Sequence, residues 1–152
     1  MSKFDPKALL QTELKVSDIA TEYTPIPEGT FPIQFGAPDI KFGEKNGKVW
    51  ARLEVPCTVT DSNVAVDMGL AADEVIKSYY TVFLDIDQET KGLAFGVNKN
   101  VSLGKLFEAA GLASEAAIAD LENCKALGKF VQKMNSETQR TRTEIVDVFA
   151  ED

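Results

Sequence analysis

The strict alternation of residue types over 48–60 constrains the fold of this chain more than any other feature. One side of the alternation carries Val49, Ala51, Leu53, Val55, Cys57 and Val59, and the other carries Trp50, Arg52, Glu54, Pro56 and Thr58. Because successive side chains of a β-strand point to opposite faces, the pattern predicts a half-buried strand. Its outward side holds the single Trp of the chain two residues from an Arg. That combination predicts a surface that binds something flat and anionic.

The length and composition of the chain are typical of one soluble globular domain. The chain has 152 residues, of which 44% are hydrophobic and 26% charged, and this length is sufficient for one proper core. No apolar run approaches the roughly 18–20 residues that a membrane-spanning helix needs. The first residues lack the apolar segment of a signal peptide, so we expect a cytoplasmic protein.

The chain contains no histidine and only two cysteines, Cys57 and Cys124. The absence of histidine excludes Ser-His and Cys-His nucleophile chemistry. Two isolated cysteines form neither a disulfide framework nor a zinc site. We therefore expect a non-catalytic protein without a cofactor or a bound metal.

Charge is distributed unevenly along the sequence, although the formal net charge is −8. The acidic excess is concentrated in 61–76 and at the two termini, whereas 125–143 contains five basic residues against Glu137 alone. Phosphate contacts need Lys and Arg, so the distribution matters more than the sum. The basic residues lie in segments predicted to be strands and the turns that join them.

Five strands and a helical connection are predicted. Phe31, Ile33 and Phe35 alternate in the first strand, where Gly36 and Pro38 predict a bulge or sharp bend. A hairpin turn with the strong Asn-Gly signal then leads into the strand at 48–60. The predicted elements are strands at 30–42, 48–60, 78–87, 125–135 and 141–149, a loop at 61–77, a helix at 100–111, and a short second helix from Ser114 to Glu122.

This order favours a mainly β fold, a five-stranded Greek-key barrel of the oligonucleotide/oligosaccharide-binding (OB) type with a helical insertion between strands 3 and 4. A β-sandwich is the alternative, but it needs about seven strands. We divide the chain into an N-terminal arm, 1–27, and an OB-fold domain, 28–152. The arm is either a strap packed on the barrel or a peptide that binds a partner.

The predicted binding surface follows from where OB barrels hold their ligands, across strands 2 and 3 between two flanking loops. Alternation places Trp50, Arg52, Tyr79 and Phe83 on the outward sides of these strands. Exposed rings that stack bases and cations that contact phosphates are typical of single-stranded nucleic-acid binding. The predicted DNA-binding residues are Trp50, Arg52, Tyr79, Phe83, Lys45, Lys48, Lys129, Lys133, Arg140 and Arg142.

Acidic residues at alternate positions offer a different chemistry. Asp85, Asp87 and Glu89 could hold Mg²⁺ or Ca²⁺, and Lys91 lies nearby in the sequence. The alternatives are a metal-dependent nuclease and an acidic strand end that faces water. The spacing does not match a calcium loop, because Thr90 stands at its glycine position and Gly96 at its bidentate glutamate position.

Three short motifs resemble a family of small bacteriophage proteins. They are Phe4-Asp5-Pro6, Thr24-Pro25-Ile26-Pro27-Glu28-Gly29 and Gly128-Lys129. The chain is similar in this respect to phage single-stranded DNA-binding proteins of OB fold, which act in replication and recombination. The resemblance implies single-stranded DNA as a partner, together with replication or recombination proteins. A phage structural or adaptor protein remains an alternative, with the same outward aromatics buried against another protein or in a homodimer.

Overall fold

A computed structural model describes residues 4–18, 24–112 and 115–151 of the chain. These residues form a mixed α/β fold that is mostly strands, with short helices. The strands are β1 Gly29–Phe35, β2 Asp39–Lys45, β3 Lys48–Val59, β4 Ile76–Leu84, β5 Lys125–Met134 and β6 Thr141–Phe149. The helices are α1 Pro6–Leu10, α2 Ser62–Asp67 and α3 Val101–Ala109, with 3₁₀ turns at Val16–Asp18 and Ile118–Leu121.

The alternation over 48–60 is confirmed as strand β3. Its apolar side, from Ala51 to Val59, is buried, and the intervening side chains are partly or fully exposed. The turn that precedes it is also as predicted, because Asn46 and Gly47 both have positive φ values, 54° and 76°. Such values are those of the two-residue turn that matches the twist of an antiparallel hairpin. Lys45 and Lys48 therefore pair directly, and this fixes the register of β2 on β3.

All ladders in the described residues are antiparallel, and they build one six-stranded sheet. One edge of β3 pairs with β4. The other edge pairs first with β2 and then, at its end, with β1. The sheet continues from β1 to β5 and from β5 to β6. Since β1 and β2 run in succession beside β3, the strand order is β4, β3, β2/β1, β5, β6.

The prediction of a closed five-stranded barrel is wrong in two respects. The predicted first strand is two strands, because β1 ends at Phe35 and β2 begins at Asp39. Gly36, in the break, still donates its N–H to the carbonyl of Pro56 on β3 at 2.7 Å. The sheet is also not closed, since no ladder joins β4 to β6 among the described residues. Helix α3 packs against both of these strands and adds buried residues to the core: Leu103, Leu106 and Ala109. The prediction of a mainly β fold is confirmed, and so is the predicted helical connection before the strand at 125–135, which is β5. The β-sandwich alternative has no counterpart, because the described strands form a single sheet.

The sequence explains where α3 ends. Gly111 has a φ of 76°, a conformation that costs glycine little. Its N–H donates to Glu108 at 3.1 Å, and the N–H of Leu112 donates to Phe107 at 3.0 Å. These two bonds form a Schellman motif that satisfies the last carbonyls of the helix. The predicted second helix corresponds to the 3₁₀ turn Ile118–Leu121, while its predicted cap, Ser114, lies outside the described residues.

The core is apolar and contains a buried thiol. Cys57 donates a hydrogen bond to the carbonyl of Val55 at 3.4 Å, and burial raises the pKa of its thiol to about 12. Burial also raises the pKa of Tyr80 on β4, and the nearby carboxylate of Asp147 on β6 adds to that shift. Strands β4 and β6 contact each other directly, although no ladder joins them among the described residues.

The described parts of the N-terminal arm differ in how they pack. Helix α1 is capped by Asp5, whose carboxylate accepts the Lys7 N–H at 3.0 Å, but the helix buries no residue. By contrast, Ile26 is buried, and its carbonyl accepts bonds from Gln132 at 3.0 Å and Thr143 at 2.7 Å. The strap interpretation therefore holds for the segment around Ile26, while residues 1–3 and 19–23 of the arm lie outside the described residues. None of the described helices is long and apolar enough to cross a bilayer.

Candidate nucleic-acid interface

The outward side of strands β2, β3 and β4, which we call the outer face, carries the predicted stacking residues. Residues directly opposite in an antiparallel ladder share a face. Arg52 of β3 lies between Lys41 of β2 and Phe83 of β4. The neighbouring pairs on the same side are Gly43 with Trp50 and Pro56 with Tyr79.

The indole of Trp50 lies over Gly43, its partner across the β2–β3 ladder. A methyl group in place of the Gly43 hydrogen would come within 2.9 Å of Nε1 and Cζ2 of the ring. Glycine is the residue that permits so close an approach. The side chain of Trp50 remains 40% exposed. The sheet therefore supports the ring through Gly43 and leaves part of it accessible to a ligand.

Arg52 lies beside this ring and is held by an acidic neighbour. Its guanidinium carbon is 6.0 Å from the centroid of the Trp50 ring, at the outer limit of a cation–π contact. Its Nε donates to Glu54 at 3.1 Å. The planar guanidinium keeps further N–H groups beyond the one used by Glu54. Arg52 can therefore bind an anion without giving up its ion pair.

Strand β4 adds two exposed rings to the outer face. Phe83 is directly opposite Arg52 and diagonal to Trp50, so its Cα lies about 7–8 Å from that of Trp50. Tyr79 is four residues before Phe83 on the same side, about 13 Å along the strand. Both rings are exposed. The three predicted aromatic residues thus occupy one continuous surface.

Positive charge reaches the outer face from the β2–β3 hairpin. Lys45 and Lys48 flank the turn and make no ion pair in the described part of the chain. Lys41 was not predicted, although counting back from the turn places it opposite Arg52; its ammonium group lies 3.1 Å from Asp39. Gly43 was also missed, and the same count places it opposite Trp50.

A side-chain amide fixes the segment after β4 to the strand that carries Trp50. The Gln88 side chain accepts the Val49 N–H at 2.9 Å and donates to the Val49 carbonyl at 3.0 Å. This pair of bonds reproduces the pattern that a neighbouring strand would offer. Residues 85–94 therefore extend the support of β3 beyond the end of β4.

The other predicted cations lie on the β5–β6 hairpin. Lys133 and Arg142 both bind Glu144, at 2.9 Å and 2.6 Å. The hydrogen bond from Lys133, helped by the charges of both cations, holds the pKa of Glu144 below its ordinary value. Lys129 is paired across the ladder with Asp147, and Arg140 is exposed in the turn.

The ladder register separates this hairpin from the outer face. Gly29, at the start of β1, pairs with Phe130, so Lys133 and Arg142 lie beyond the start of β1. Trp50 pairs with Gly43, near the end of β2. The two groups of cations therefore stand at opposite ends of the continuous β1–β2 course. Only Lys45, Lys48 and Arg52 of the predicted cations share the β2–β3 hairpin with Trp50.

The carboxylates considered for a metal site bind backbone N–H groups. Asp85 accepts the Asn100 N–H at 2.6 Å, and Asp87 accepts that of Glu89 at 2.9 Å. The Asn100 side chain in turn accepts the Asp85 backbone N–H and donates to the backbone carbonyls of Asp85 and Ala94. In the described residues no group of three or more acidic or thiol side chains could hold a metal ion. These contacts explain the acidic run as the support of a loop.

No protein family, curated protein or solved structure matches the chain. Its function therefore has to be inferred from the chemistry of the outer face.

Proposed function

We propose that this chain is a non-catalytic single-stranded DNA-binding protein that stacks bases on its outer face. The observation that carries the proposal is the Trp50 ring, which lies over Gly43, remains partly exposed and has Arg52 beside it. Phe83 and Tyr79 extend the same surface. Every base has a π-face, so exposed rings bind single strands with little regard to sequence.

The energy of stacking is large enough to give useful affinity. Stacking on an aromatic side chain contributes about 1–3 kcal/mol per base. Three rings would together provide several kcal/mol in addition to the phosphate contacts. In the proposal Trp50, Phe83 and Tyr79 take bases, while Arg52, Lys45 and Lys48 contact the backbone close to them.

In the proposal the cations of the β5–β6 hairpin bind a second stretch of the DNA. Lys129, Lys133, Arg140 and Arg142 would contact phosphates at the far end of the sheet. Lys133 and Arg142 would share their donors between Glu144 and the ligand. We further propose replication or recombination proteins as partners.

We also propose that the fold is a partly open member of the OB type. The strand order and the position of α3 between β4 and β5 support this relation. OB folds are five-stranded, partly open Greek-key barrels. Splitting of the first strand at Gly36 gives six strands without changing this order. The proposal places the ligand on strands β3 and β4.

Titration with single-stranded DNA tests the function directly, because Trp50 is the only Trp. We expect an oligothymidylate to change the Trp50 emission in a saturable manner. Trp50→Ala should weaken binding of a labelled oligonucleotide about 5- to 150-fold, the equivalent of one lost stacking contact. Affinity should also fall steeply with salt if phosphates are bound.

Phe149→Ala is the matched control for loss of an aromatic residue. Phe149 is 43% exposed, close to the 40% of Trp50, but it lies on β6 rather than on β3. It should leave affinity nearly unchanged. Equal losses in the two variants, or emission that does not respond to DNA, would contradict a stacking role for Trp50.

A protein-contact role is the second candidate, in which the chain is a phage structural or adaptor protein. The observation that favours it is the exposure of apolar side chains on the arm: Phe4, Leu9, Leu10, Leu14 and Val16. Such side chains typically mark a site of protein contact when they cluster. Size measurements with and without DNA separate the two roles, since only DNA binding produces a complex that requires the oligonucleotide.

A further inference from the structure

Strand β2 has an edge that pairs with no strand in the described part of the chain. One edge of β2 is bonded to β3 from Asp39 to Lys45. Its other edge has no ladder, and Phe42 at its centre is 75% exposed although it lies on the core side of the sheet. Natural proteins rarely leave a long edge strand with a large exposed ring, because it invites pairing with another chain.

Two side-chain contacts reveal which backbone groups of β2 point to this edge. The Ile40 N–H donates to Asp39 Oδ1 at 3.0 Å and so points away from β3. Val49, opposite Glu44, directs its N–H and carbonyl to Gln88. Both pairs are therefore of the non-hydrogen-bonded type, and the type alternates along a ladder. It follows that Ile40, Phe42 and Glu44 present their backbone groups to the free edge.

We propose that the free edge of β2 pairs with the same strand of a second copy, antiparallel and with Phe42 on the twofold axis. In this register Phe42 faces Phe42, and Ile40 faces Glu44 of the second copy. All three positions can then form hydrogen-bonded pairs. On the other side of the strands, Asp39 of each copy faces Lys45 of the other. Two opposite-charge pairs thus form by symmetry.

The charges of β2 select this register over its neighbours. Because side chains alternate, allowed registers differ by two residues. A shift in one direction places Lys41 on the axis against itself, and a shift in the other places Lys41 against Lys45 twice. Like charges directly opposite are destabilising. Of these three registers, only the one centred on Phe42 opposes unlike charges and avoids like ones.

The pairing would join two sheets into one, in the order β4, β3, β2, β2, β3, β4. A twofold axis perpendicular to the sheet keeps both outer faces on the same side. Two copies of Trp50 would then lie on one surface. The assembly does not depend on DNA binding, so it goes beyond the proposed function.

Charge exchange tests the register in sedimentation experiments over a range of protein concentrations without DNA. Asp39→Lys and Lys45→Asp each place like charges opposite each other twice. Each should weaken the dimer about tenfold or more, since two pairs change from attraction to repulsion. The double variant restores opposite charges and should recover the affinity. A wild-type chain that remains monomeric, or a double variant as weak as the singles, would overturn the proposal.

Disulfide trapping tests the axis with a matched control. In a Cys124→Ser background, Phe42→Cys places two thiols at a hydrogen-bonded pair with Cα atoms about 5.5 Å apart, within disulfide range. Ile40→Cys has the same edge and the same side, but the two Cα atoms would be displaced by about 13 Å along the strands, beyond disulfide range. Phe42→Cys alone should cross-link on mild oxidation. Equal cross-linking of both variants would exclude the twofold axis at Phe42.

One further variant separates this proposal from the proposed function. Phe42→Asp puts two carboxylates on the axis and should yield a folded monomer, because Phe42 is largely exposed. That monomer should bind a short oligonucleotide with unchanged affinity if the outer face is the DNA site. Monomeric protein that binds no DNA would refute the function alone, and dimeric Phe42→Asp would refute the edge pairing alone.

Discussion

Two adjacent residues of β4 provide a sharp test of the outer face. Phe83 points outward opposite Arg52, whereas Val82 points inward opposite Leu53. Phe83→Ala should therefore weaken DNA binding with little effect on folding, and Val82→Ala should do the opposite. The two variants alter the same strand by truncation to the same residue. Any difference between them reports on the side to which the side chain points.

The structure sets the size of each effect. Phe83 is 73% exposed and Val82 is 2% exposed. The covered quarter of a phenylalanine is about 55 Å², so Phe83→Ala should lower the free energy of unfolding by at most about 1.4 kcal/mol. Val82→Ala removes two buried carbons and leaves a cavity, at a cost of about 2–3 kcal/mol. Loss of one stacking contact should reduce affinity about 5- to 150-fold.

Chemical denaturation and oligonucleotide anisotropy measure the two quantities. The expected pattern is weak binding with near-normal stability for Phe83→Ala, and normal affinity with lower stability for Val82→Ala under folding conditions. If Phe83→Ala bound DNA like the wild type, β4 would have no part in the interface. If it destabilised the fold as much as Val82→Ala, the assignment of sides on β4 would be wrong.

Three further variants or reagents test individual contacts. Gln88→Ala removes both hydrogen bonds to the backbone of Val49 and should lower stability by about 1 kcal/mol in denaturation experiments, since water can replace them at this exposed site; an unchanged value would show that the bonds do not support β3. In the native protein a thiol reagent should label Cys124 well before Cys57, because burial keeps the Cys57 thiol protonated up to a pKa of about 12; equal labelling rates would contradict this burial. Glu144→Gln should lower the free energy of unfolding by less than about 1 kcal/mol at neutral pH, because the partners of Glu144 are exposed. A carboxyl whose pKa is lowered in the folded state stabilises the fold at pH values above its ordinary pKa of 4.5. The difference in free energy of unfolding between wild type and Glu144→Gln should therefore shrink as the pH falls below 4.5 in pH-dependent denaturation; a constant difference would argue against the ion pairs.

The local features of the fold were the most predictable from sequence. The period-two pattern of β3 and the Asn46-Gly47 turn both depend on short-range geometry that the residues themselves determine. The same holds for α3, whose apolar spacing and terminal Gly111 define its extent. These elements appear in the structure close to where the pattern places them.

Features that depend on long-range packing were harder to predict. Residues 61–77 were predicted to be a loop, yet α2 forms there and buries Val64 and Ala65. Its six residues are too few for a clear helical period, and its cap at Asp61 resembles an ordinary acidic loop residue. Whether β4 and β6, which contact each other and α3, also form a ladder is likewise a matter of long-range packing. No local pattern in either strand carries that information.

The candidate site shows how far a register argument can be taken from sequence. Once the turn at Asn46-Gly47 is placed, two residues of β2 and β3 pair when their numbers add up to 93, as those of Lys45 and Lys48 do. This count assigns both Lys41 and Gly43 to the outer face. The position of Gly43 beneath the Trp50 ring could therefore be predicted from the sequence. In the β5–β6 hairpin the same count holds from Met134 to Phe130, but the bulge between Lys129 and Phe130 shifts the partner of Lys129 by one residue. Alternation places Arg142 and Glu144 on one side of β6, but it does not reveal that Glu144 also binds Lys133 on β5. A cation near a strand end predicts a phosphate contact only when no acid beside it forms an ion pair with it first. For Lys133 that acid lies on the neighbouring strand, so the condition depends on the sheet and not on β5 alone.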